Sequence, residues 1–582
     1  MQAKALLFDT RSIQRYIYSG NLLKTNIGAS YLVDRVFEDV LAGEILEEEF
    51  PGEVDTERRA SKERVDWSAL DKKCTVAYIG GGNALILFRM DTEDGVQKNI
   101  VQKISRRLLS SHPGLRIGAA FGTLEISSPE AFQRGIDALY ERLKKTQATV
   151  FPKVNVPYTG LTLSCPVNGE AANFCDTKGL MGDKGGKGDG PRFFSQEARA
   201  KTEAEETASK QLREKFEKLF KGTEAENLFP AYAFPRALDE LGQKRDEARS
   251  NYIAIVHIDG NNMGKKFRLL CKDLEDRRIL AEEIRRKTES SFAALLQWIL
   301  KQCEDGAYKE ELDLKPKRKG SSVPEQKKIL PIRPLILGGD DVTFICPAKT
   351  ALVFTKYFME TLLADVSDET QEIRRPEARR MDSCAGIAIL PTSYPFFRGY
   401  ELAEQLCDAA KQSMRRLLKE IPKEEEKAAA AEDLRGTSWL DFAILHGEQA
   451  PTLEQIRARE YTGARGPMHF GPYQVGNADA KKTADRVHNI ENLIDAARRL
   501  LKGANDAGNA PSVIPKSKIK ELRRVLQAGE DEAGRFLAQM ARMGQRLPQI
   551  DDWKSYEDSL WHNGRTPYTD AIEMMDFIPE EA

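Results

Sequence analysis

Pro334-Leu335-Ile336-Leu337-Gly338-Gly339-Asp340-Asp341-Val342-Thr343-Phe344-Ile345-Cys346 is an apolar run, a four-residue turn and a β-rich run in immediate succession. The pattern predicts a hairpin of buried strands with Gly338, Gly339, Asp340 and Asp341 at its tip. The two glycines let the backbone turn tightly and let a ligand approach. The adjacent carboxylates bring charge that a divalent metal compensates. Alone, the motif is equally a solvated Gly-Gly-Asp turn, so its weight depends on what else in the chain answers it.

Upstream, Tyr252 to Ile258 reads as a buried strand. It ends in Asp259-Gly260-Asn261-Asn262-Met263-Gly264-Lys265-Lys266-Phe267, a glycine-containing loop that leads into a helix. An acid closing one strand and an acid pair on a neighbouring hairpin can converge on Mg²⁺, so Asp259, Asp340 and Asp341 are expected to face one pocket. Downstream, Ser383 to Leu390 is a further apolar strand. From about Tyr400 a helix carries Leu402, Leu406, Ala409, Ala410, Met414 and Leu417 at helical spacing, and on it Lys411 could reach a phosphate. Strand, helix, acid-tipped hairpin, strand and helix make a ferredoxin-like βαββαβ unit, the core of polymerase and cyclase palms.

The expected metal set is Ile258, Asp259, Asp340 and Asp341. The expected nucleotide-contacting set is Gly260, Asn262, Gly264, Lys265, Gly338, Gly339 and Lys411. Two divalent ions about 4 Å apart would activate a 3′-hydroxyl and neutralise a pyrophosphate leaving group. In this reading Asp259 and Asp340 bridge the ions and Asp341 completes the set, while Lys411 and Lys265 offset triphosphate charge.

The first 150 residues repeat the pattern. Strand Ala5 to Phe8 ends at Asp9, a helix runs near Asn21 to Glu49, and strands Thr75 to Ile79 and Ala84 to Met90 flank the turn Gly80-Gly81-Gly82-Asn83. A helix over about Asp94 to Leu109, strand Arg116 to Thr123 and a helix from about Pro129 to Thr146 complete it. Gly82 and Asn83 stand where the second copy has Asp340 and Asp341. Glycine and an amide are no anionic ligands, so this palm is expected to be catalytically silent, either as a scaffold or as one wall of a nucleotide pocket between the palms.

The chain of 582 residues has room for three or four domains, and its 41% hydrophobic content suffices for several cores. The expected fold class is α+β. Its parts are a degenerate palm over residues 1–160, a helical linker region over 161–230, the GGDD palm over 231–425 and a helical C-terminal domain over 426–582. Residues near Ala480 to Leu501 and Lys516 to Met543 carry the helical spacing of the last part, for example Ile519, Leu522, Leu526, Phe536, Leu537 and Met540. The start lacks a long apolar region, no stretch approaches the ~20 residues of a membrane span, and the eight cysteines show no disulfide framework. A cytoplasmic protein is expected, with Cys346, Cys384 and Cys407 as small core residues. The net charge of −2 gives no globally basic surface, which argues against free duplex binding.

Between the palms, Cys165 and Cys175 fall short of the two close pairs of a zinc knuckle. Met181 to Gly190, the basic Lys315 to Lys328 and the Lys/Glu/Ala-rich Pro422 to Asp433 read as loops, the second a candidate flap over the hairpin. Arg465-Gly466-Pro467-Met468-His469-Phe470 could touch RNA or nucleotide, with a satisfied loop as the plainer reading. His257 reads as a core histidine.

With twin palms, the loop Asp259 to Gly264, the turn Gly338 to Asp341 and a helical C-terminal part, the chain resembles the large Csm/Cmr-type subunit of type III CRISPR effector complexes. Asp9 to Ile17 with Gly28-Ala29-Ser30, and Ser383 to Leu390 followed by Ala409-Ala410-Lys411, look like that family's first palm and closing elements. The resemblance implies a Mg²⁺- or Mn²⁺-dependent synthase that joins ATP through 3′-5′ linkages into cyclic oligoadenylate messengers for antiviral defence. Its metal-holding acids would be Asp340, Asp341 and Asp259. Guide-RNA effector subunits and target RNA would be its partners, and a homo-oligomer stays open. The chain departs from the pattern where Asn261 replaces the loop's second acid, where no HD nuclease motif precedes the first palm, and where only Cys165 and Cys175 remain of the zinc cysteines. No residue selects adenine over guanine, so a cyclase making a cyclic mono- or dinucleotide and a non-catalytic nucleotide- or RNA-binding scaffold remain alternatives.

Overall fold

The computed structural model of the protein describes residues 1–61, 63–148, 160–177, 180, 192–242, 251–308, 312, 314, 327–364, 373, 375–420, 437–447, 451–464, 466–476, 488–506 and 514–579. The stretch 181–190, residues 315–326 of the basic loop, 422–433, Arg465 and residues 480–487 lie outside the described residues.

Two sheets carry the fold, each built on four antiparallel strands. The first contains β1 (Gln2–Arg11), β2 (Cys74–Gly80), β3 (Asn83–Phe88) and β4 (Arg116–Glu125) in the order β2-β3-β1-β4, with the two-residue strand Val54–Asp55 on the β2 edge. Its helices are α1 (Ile13–Ile17), α2 (Leu23–Arg35, continued to Leu46 by wide π-type turns), α3 (Val96–Ser111) and α4 (Pro129–Ala148). Each forms where apolar residues recur every three or four positions; in α3 the buried stripe is Val96, Ile100, Ile104 and Leu108. A linker helix, α5 (Gln196–Leu219), starts at Ser195, whose hydroxyl accepts the Ala198 amide at 3.1 Å.

The second sheet repeats the order with β5 (Tyr252–Gly260), β6 (Arg333–Gly338), β7 (Asp341–Pro347) and β8 (Ser383–Pro391), arranged β6-β7-β5-β8. Its helices are α6 (Met263–Leu270), α7 (Leu274–Glu304), α8 (Ala351–Leu363) and α9 (Phe396–Glu420). Both sheets therefore have the ferredoxin-like palm topology, in an α+β chain.

The segment after Gly436, expected to be mainly helical, opens instead with β9 (Ser438–Ile444). This strand pairs parallel to β8 and is joined by β10 (Tyr473–Val475), so the sheet has six strands. Every residue of β9 is buried, and a short strand covered on both faces shows no alternation by which to distinguish it from a helical segment. Helix α10 (Leu453–Glu460) connects β9 to β10. Helices α11 (Ile490–Asp506), α12 (Lys516–Ala528), α13 (Glu530–Arg542) and α14 (Tyr568–Met574) follow. Ile519, Leu522, Leu526, Phe536 and Met540 are buried there, as their spacing requires.

The faces of the second sheet have different neighbours. Ala254, Val256 and Ile258 of β5 pack with Phe292 and Leu296 of α7 and Phe354 and Phe358 of α8. Ile253 and Ile255 share a core with Tyr400 and Leu406 of α9 and with Leu6 and Phe8 of the first palm. The two palms thus meet across one continuous apolar core on the α9 side, where Tyr18 stacks on Tyr400 with ring centres 4.0 Å apart.

A buried ionic cluster fastens the C-terminal helices to this sheet. His469 Nε2 lies 2.8 Å from Asp441 of β9 and its Nδ1 3.1 Å from Asp570 of α14, both acids being fully buried. Burial disfavours the charged ring, but Asp570 and Asp441 carry its pKa up to about 9. His469 is therefore a structural clamp and not a surface that touches nucleic acid. No disulfide joins the eight cysteines, and Cys346, Cys384 and Cys407 are core residues. Cys165 is buried with Val167, Phe194 and Ala198 in a small apolar cluster.

Candidate functional site

The acids lie where the hairpin and the first strand of the second palm end together. In the β7–β5 ladder Asp341 stands directly opposite Asp259, with Val342 opposite Ile258 behind it. Directly opposed residues of an antiparallel pair project to the same face, with Cβ atoms about 5 Å apart. Residues 253, 255 and 257 share the parity of Asp259, so this face is the one covered by α9 and the first palm.

Asp340 is on the other side. A Cβ placed on Gly260 would come within 2.8 Å of both the Asp340 Cβ and the Met263 Cε, and Met263 belongs to the α7-side core. Asp340 belongs to the turn and Asp341 opens β7, so the two adjacent carboxyls leave the backbone on different sides of the sheet edge. The expectation that three carboxylates face one pocket is corrected to two on the α9 face and one behind. Accordingly, among the described residues no three His, Cys, Asp or Glu side chains are gathered closely enough to hold a metal ion. The tip is also half-buried and not exposed: the Asp341 side chain retains 36% of its free surface. The close approach of Asp340 demands glycine at 260, and Gly339 takes a positive φ of 64° to close the turn.

The electrostatics follow from this crowding. Burial, then the Asp259 carboxylate, pushes the Asp340 pKa up to about 6, and burial with both neighbouring acids raises Asp341 well above the ordinary range. The Lys411 ammonium, from α9, is hydrogen-bonded to Asp259 Oδ2. Burial alone would lower its pKa, but the Asp259 charge lifts it above the ordinary value. Lys411 was expected to reach a phosphate; here it balances an acid. His257 is a core residue as expected, held neutral by burial with a pKa of about 4. Its Nδ1 is 3.3 Å from Thr343 Oγ1 and 3.4 Å from Asp341 Oδ1.

The residues fit a divalent ion between Asp259 and Asp341. Asp341 Oδ1 is buried without a hydrogen-bond partner, and Mg²⁺ is commonly held by one or two carboxylates, its remaining positions going to water and substrate phosphates. Ile258, next to Asp259, can contribute only its backbone.

The loop residues fall into two groups. Gly264 and Lys265 are exposed in the first turn of α6, where a Cβ on Gly264 would meet nothing within 4 Å. Asn262 takes a left-handed conformation, φ 58°, as the residue before α6, and its carbonyl accepts the amides of Lys265 and Lys266 at 2.9 Å. Asn261 and Lys266 are buried. Lys266 Nζ lies 3.6 Å from Asp382, a pairing that the sequence did not signal.

The first palm repeats the arrangement with one acid kept, Asp9, and amides in place of Asp341 and Lys411. Asn83 stands opposite Asp9 as Asp341 stands opposite Asp259. Gln147 of α4, the counterpart of α9, donates to Asp9 Oδ2 as Lys411 does to Asp259. Burial raises the Asp9 pKa. A separate cleft of about 590 Å³, lined by Arg64, Trp67, Ser127 and Glu275 among others, contains none of these residues.

Fold and site together define a palm domain with an acidic pair at its open edge. Residues 252–417 match the family model of the Cas10/Cmr2 second palm domain, and the resemblance read from the sequence motifs is borne out over this segment. Among solved structures the chain is similar to the Csm1–Csm4 cassette in complex with pppApApA, with 11% identity, TM-score 0.47, and coverage of 99% of this chain and 69% of that one. It is also similar to the cassette with cA4, at 12% identity, TM-score 0.39, and coverage of 71% and 53%, and to the cassette with AMPPNP, at 12% identity, TM-score 0.40, and coverage of 98% and 70%. The chain thus spans about half the length of the cA4-bound relative. No curated protein matches it. Among the described residues no helix is long and apolar enough to cross a membrane.

Proposed function

We propose that the chain is a metal-dependent nucleotidyltransferase that converts ATP into cyclic oligoadenylates within a type III CRISPR effector assembly. The observation that carries this reading is the opposed pair Asp259 and Asp341, with a buried, unpartnered Asp341 oxygen, inside the segment that matches the Cas10/Cmr2 second palm domain. A divalent ion bound there would neutralise charge on the reacting phosphate and favour ionisation of the attacking 3′-hydroxyl.

The protein's own groups do the rest. Asp259 and Asp341 would hold the ion, with the Ile258 backbone beside them. Asp340 crowds the pair electrostatically and would add carboxylate charge for a second ion. Lys411, which here balances Asp259, would with Lys265 offset the charge of a bound triphosphate. The Gly338–Gly339 turn and the exposed first turn of α6, with Asn262 and Gly264, would offer backbone amides to phosphate oxygens, and Gly260 leaves room beside them by lacking a side chain. The first palm, packed on α9 where Tyr18 stacks on Tyr400, would wall the other side of the site.

The test is mass spectrometry of products formed from ATP with Mg²⁺ or Mn²⁺, comparing the native chain with Asp341→Asn. Cyclic oligoadenylates that vanish in the variant support the reading, and identical products from both exclude it. One observation favours a second reading, a non-catalytic nucleotide- or RNA-binding scaffold: Lys411 already neutralises Asp259. Calorimetric binding of Mg-ATP with no turnover, with or without RNA, would select it.

A further inference from the structure

Asn261 sits where the resembling family carries a second acid, and its surroundings give the amide a different task. It is only 1% exposed. Its backbone amide donates to the Asp382 carbonyl at 2.9 Å, and its side-chain Nδ2 donates to the Thr437 carbonyl at 3.1 Å. A carbonyl can only accept, which fixes the amide's orientation. Thr437 immediately precedes β9, and the next residue, Ser438, accepts the Ser383 amide on its hydroxyl at 3.0 Å.

That strand is a firm anchor. β9 lies in register beside β8 from Cys384 opposite Trp439 to Ile389 opposite Ile444. At its centre Asp441 is held by Arg457 at 2.7 Å and His469 at 2.8 Å, and His469 reaches Asp570 of α14. The loop that carries Asp259 is therefore tied, one residue beyond Gly260, to the strand on which the C-terminal helices are clamped.

We infer that Asn261 is a positioning residue that fastens the Asp259 loop to β9 through the Thr437 carbonyl, and that it is not a metal ligand. The inference rests on the functional reading above for what the loop holds; the anchor itself does not depend on it. An aspartate would have no proton to offer and would set a buried carboxylate oxygen against a carbonyl oxygen about 3 Å away. The two views of this position predict opposite signs. As a ligand, a restored acid tightens metal binding. As an anchor, it loosens the loop and weakens metal binding.

The experiment uses the full chain. Mn²⁺ is titrated and the free ion followed by electron paramagnetic resonance, well below the melting temperature, for the native protein, Asn261→Asp and Asn261→Ala. Melting is measured in parallel with chelator present. Both variants are expected to bind Mn²⁺ about tenfold more weakly, as loss of a ligand's supporting partner does elsewhere. Without metal, Asn261→Asp is expected to melt below Asn261→Ala, and that variant about 2–4 °C below the native chain. Unchanged or tighter Mn²⁺ binding by either variant overturns the inference, as does an Asn261→Asp protein that melts with or above the native chain in chelator. If the native chain binds no Mn²⁺, the functional reading falls instead, and the melting order in chelator still decides the anchor.

Discussion

Replacing Asp340 by Asn should make the metal-free protein more stable at neutral pH. In the folded chain the Asp340 carboxyl is pushed from 3.8 up to about 6, first by burial and then by the Asp259 charge. A shift of about two pH units corresponds to roughly 3 kcal/mol, and partial solvent screening at the half-buried tip reduces this to about 1–2 kcal/mol. The sign follows from linkage. The folded state holds this proton more tightly than the unfolded one, so stability falls as pH rises from about 4 to about 6, and the full cost is present above that. Asp340→Asn removes the ionisation, so its melting temperature in chelator should exceed that of the native chain by a few degrees at pH 8, on the order of 2–4 °C per kcal/mol. The gain should disappear near pH 4. Differential scanning fluorimetry across this range is the assay. A variant that melts lower at pH 8, or that gains equally at both ends, would refute the crowding argument.

Four further outcomes are expected. Asp259→Asn and Asp341→Asn should each lower ATP turnover by about a thousandfold or more in a product chromatography assay, and the double variant should be little worse, because the two acids act as one unit. Lys411→Met should leave Asp259 unbalanced, lowering metal-free stability by about 1 kcal/mol and raising the KM for ATP, read by fluorimetry and steady-state kinetics. Asn83→Asp would set an acid opposite Asp9 in the silent palm, costing about 0.5–1 kcal/mol in chelator, with recovery on adding Mn²⁺. His469, raised to about 9, contributes stability that is full below about 6.5 and lost as pH climbs through 9; His469→Gln should flatten that alkaline decline.

The hairpin, the strand ending at Asp259 and the repeat of both in the first palm were legible because apolar runs, glycine turns and helical spacing are local signals. So was the place of Asn83, which can be aligned with Asp341 by counting from the turn. The separation of Asp340 from Asp341 was not legible, because Asp340 lies in the turn, where strand alternation does not fix a side chain's direction. What else was not legible depends on partners distant in the chain. Lys411 meets Asp259 across 152 positions, Gln147 meets Asp9 across 138, and Asn261 meets Thr437 across 176. A single sequence carries no mark of such pairings, because each residue type is equally suited to solvent. The fifth strand was missed because Ser438–Ile444 is buried throughout and offers no alternation to read. That His469 belongs to a satisfied segment was the plainer reading, but its partners were not legible, because only the fold brings Asp441 and Asp570 to its two nitrogens.

The most direct test of the account is an anomalous-scattering map of crystals grown with Mn²⁺ and a non-hydrolysable ATP analogue. The account predicts a metal peak shared by Asp259 and Asp341, about 2.1 Å from an oxygen of each, with Lys411 turned away toward phosphate. A map with no peak between these carboxylates, and Lys411 still bonded to Asp259, would contradict it.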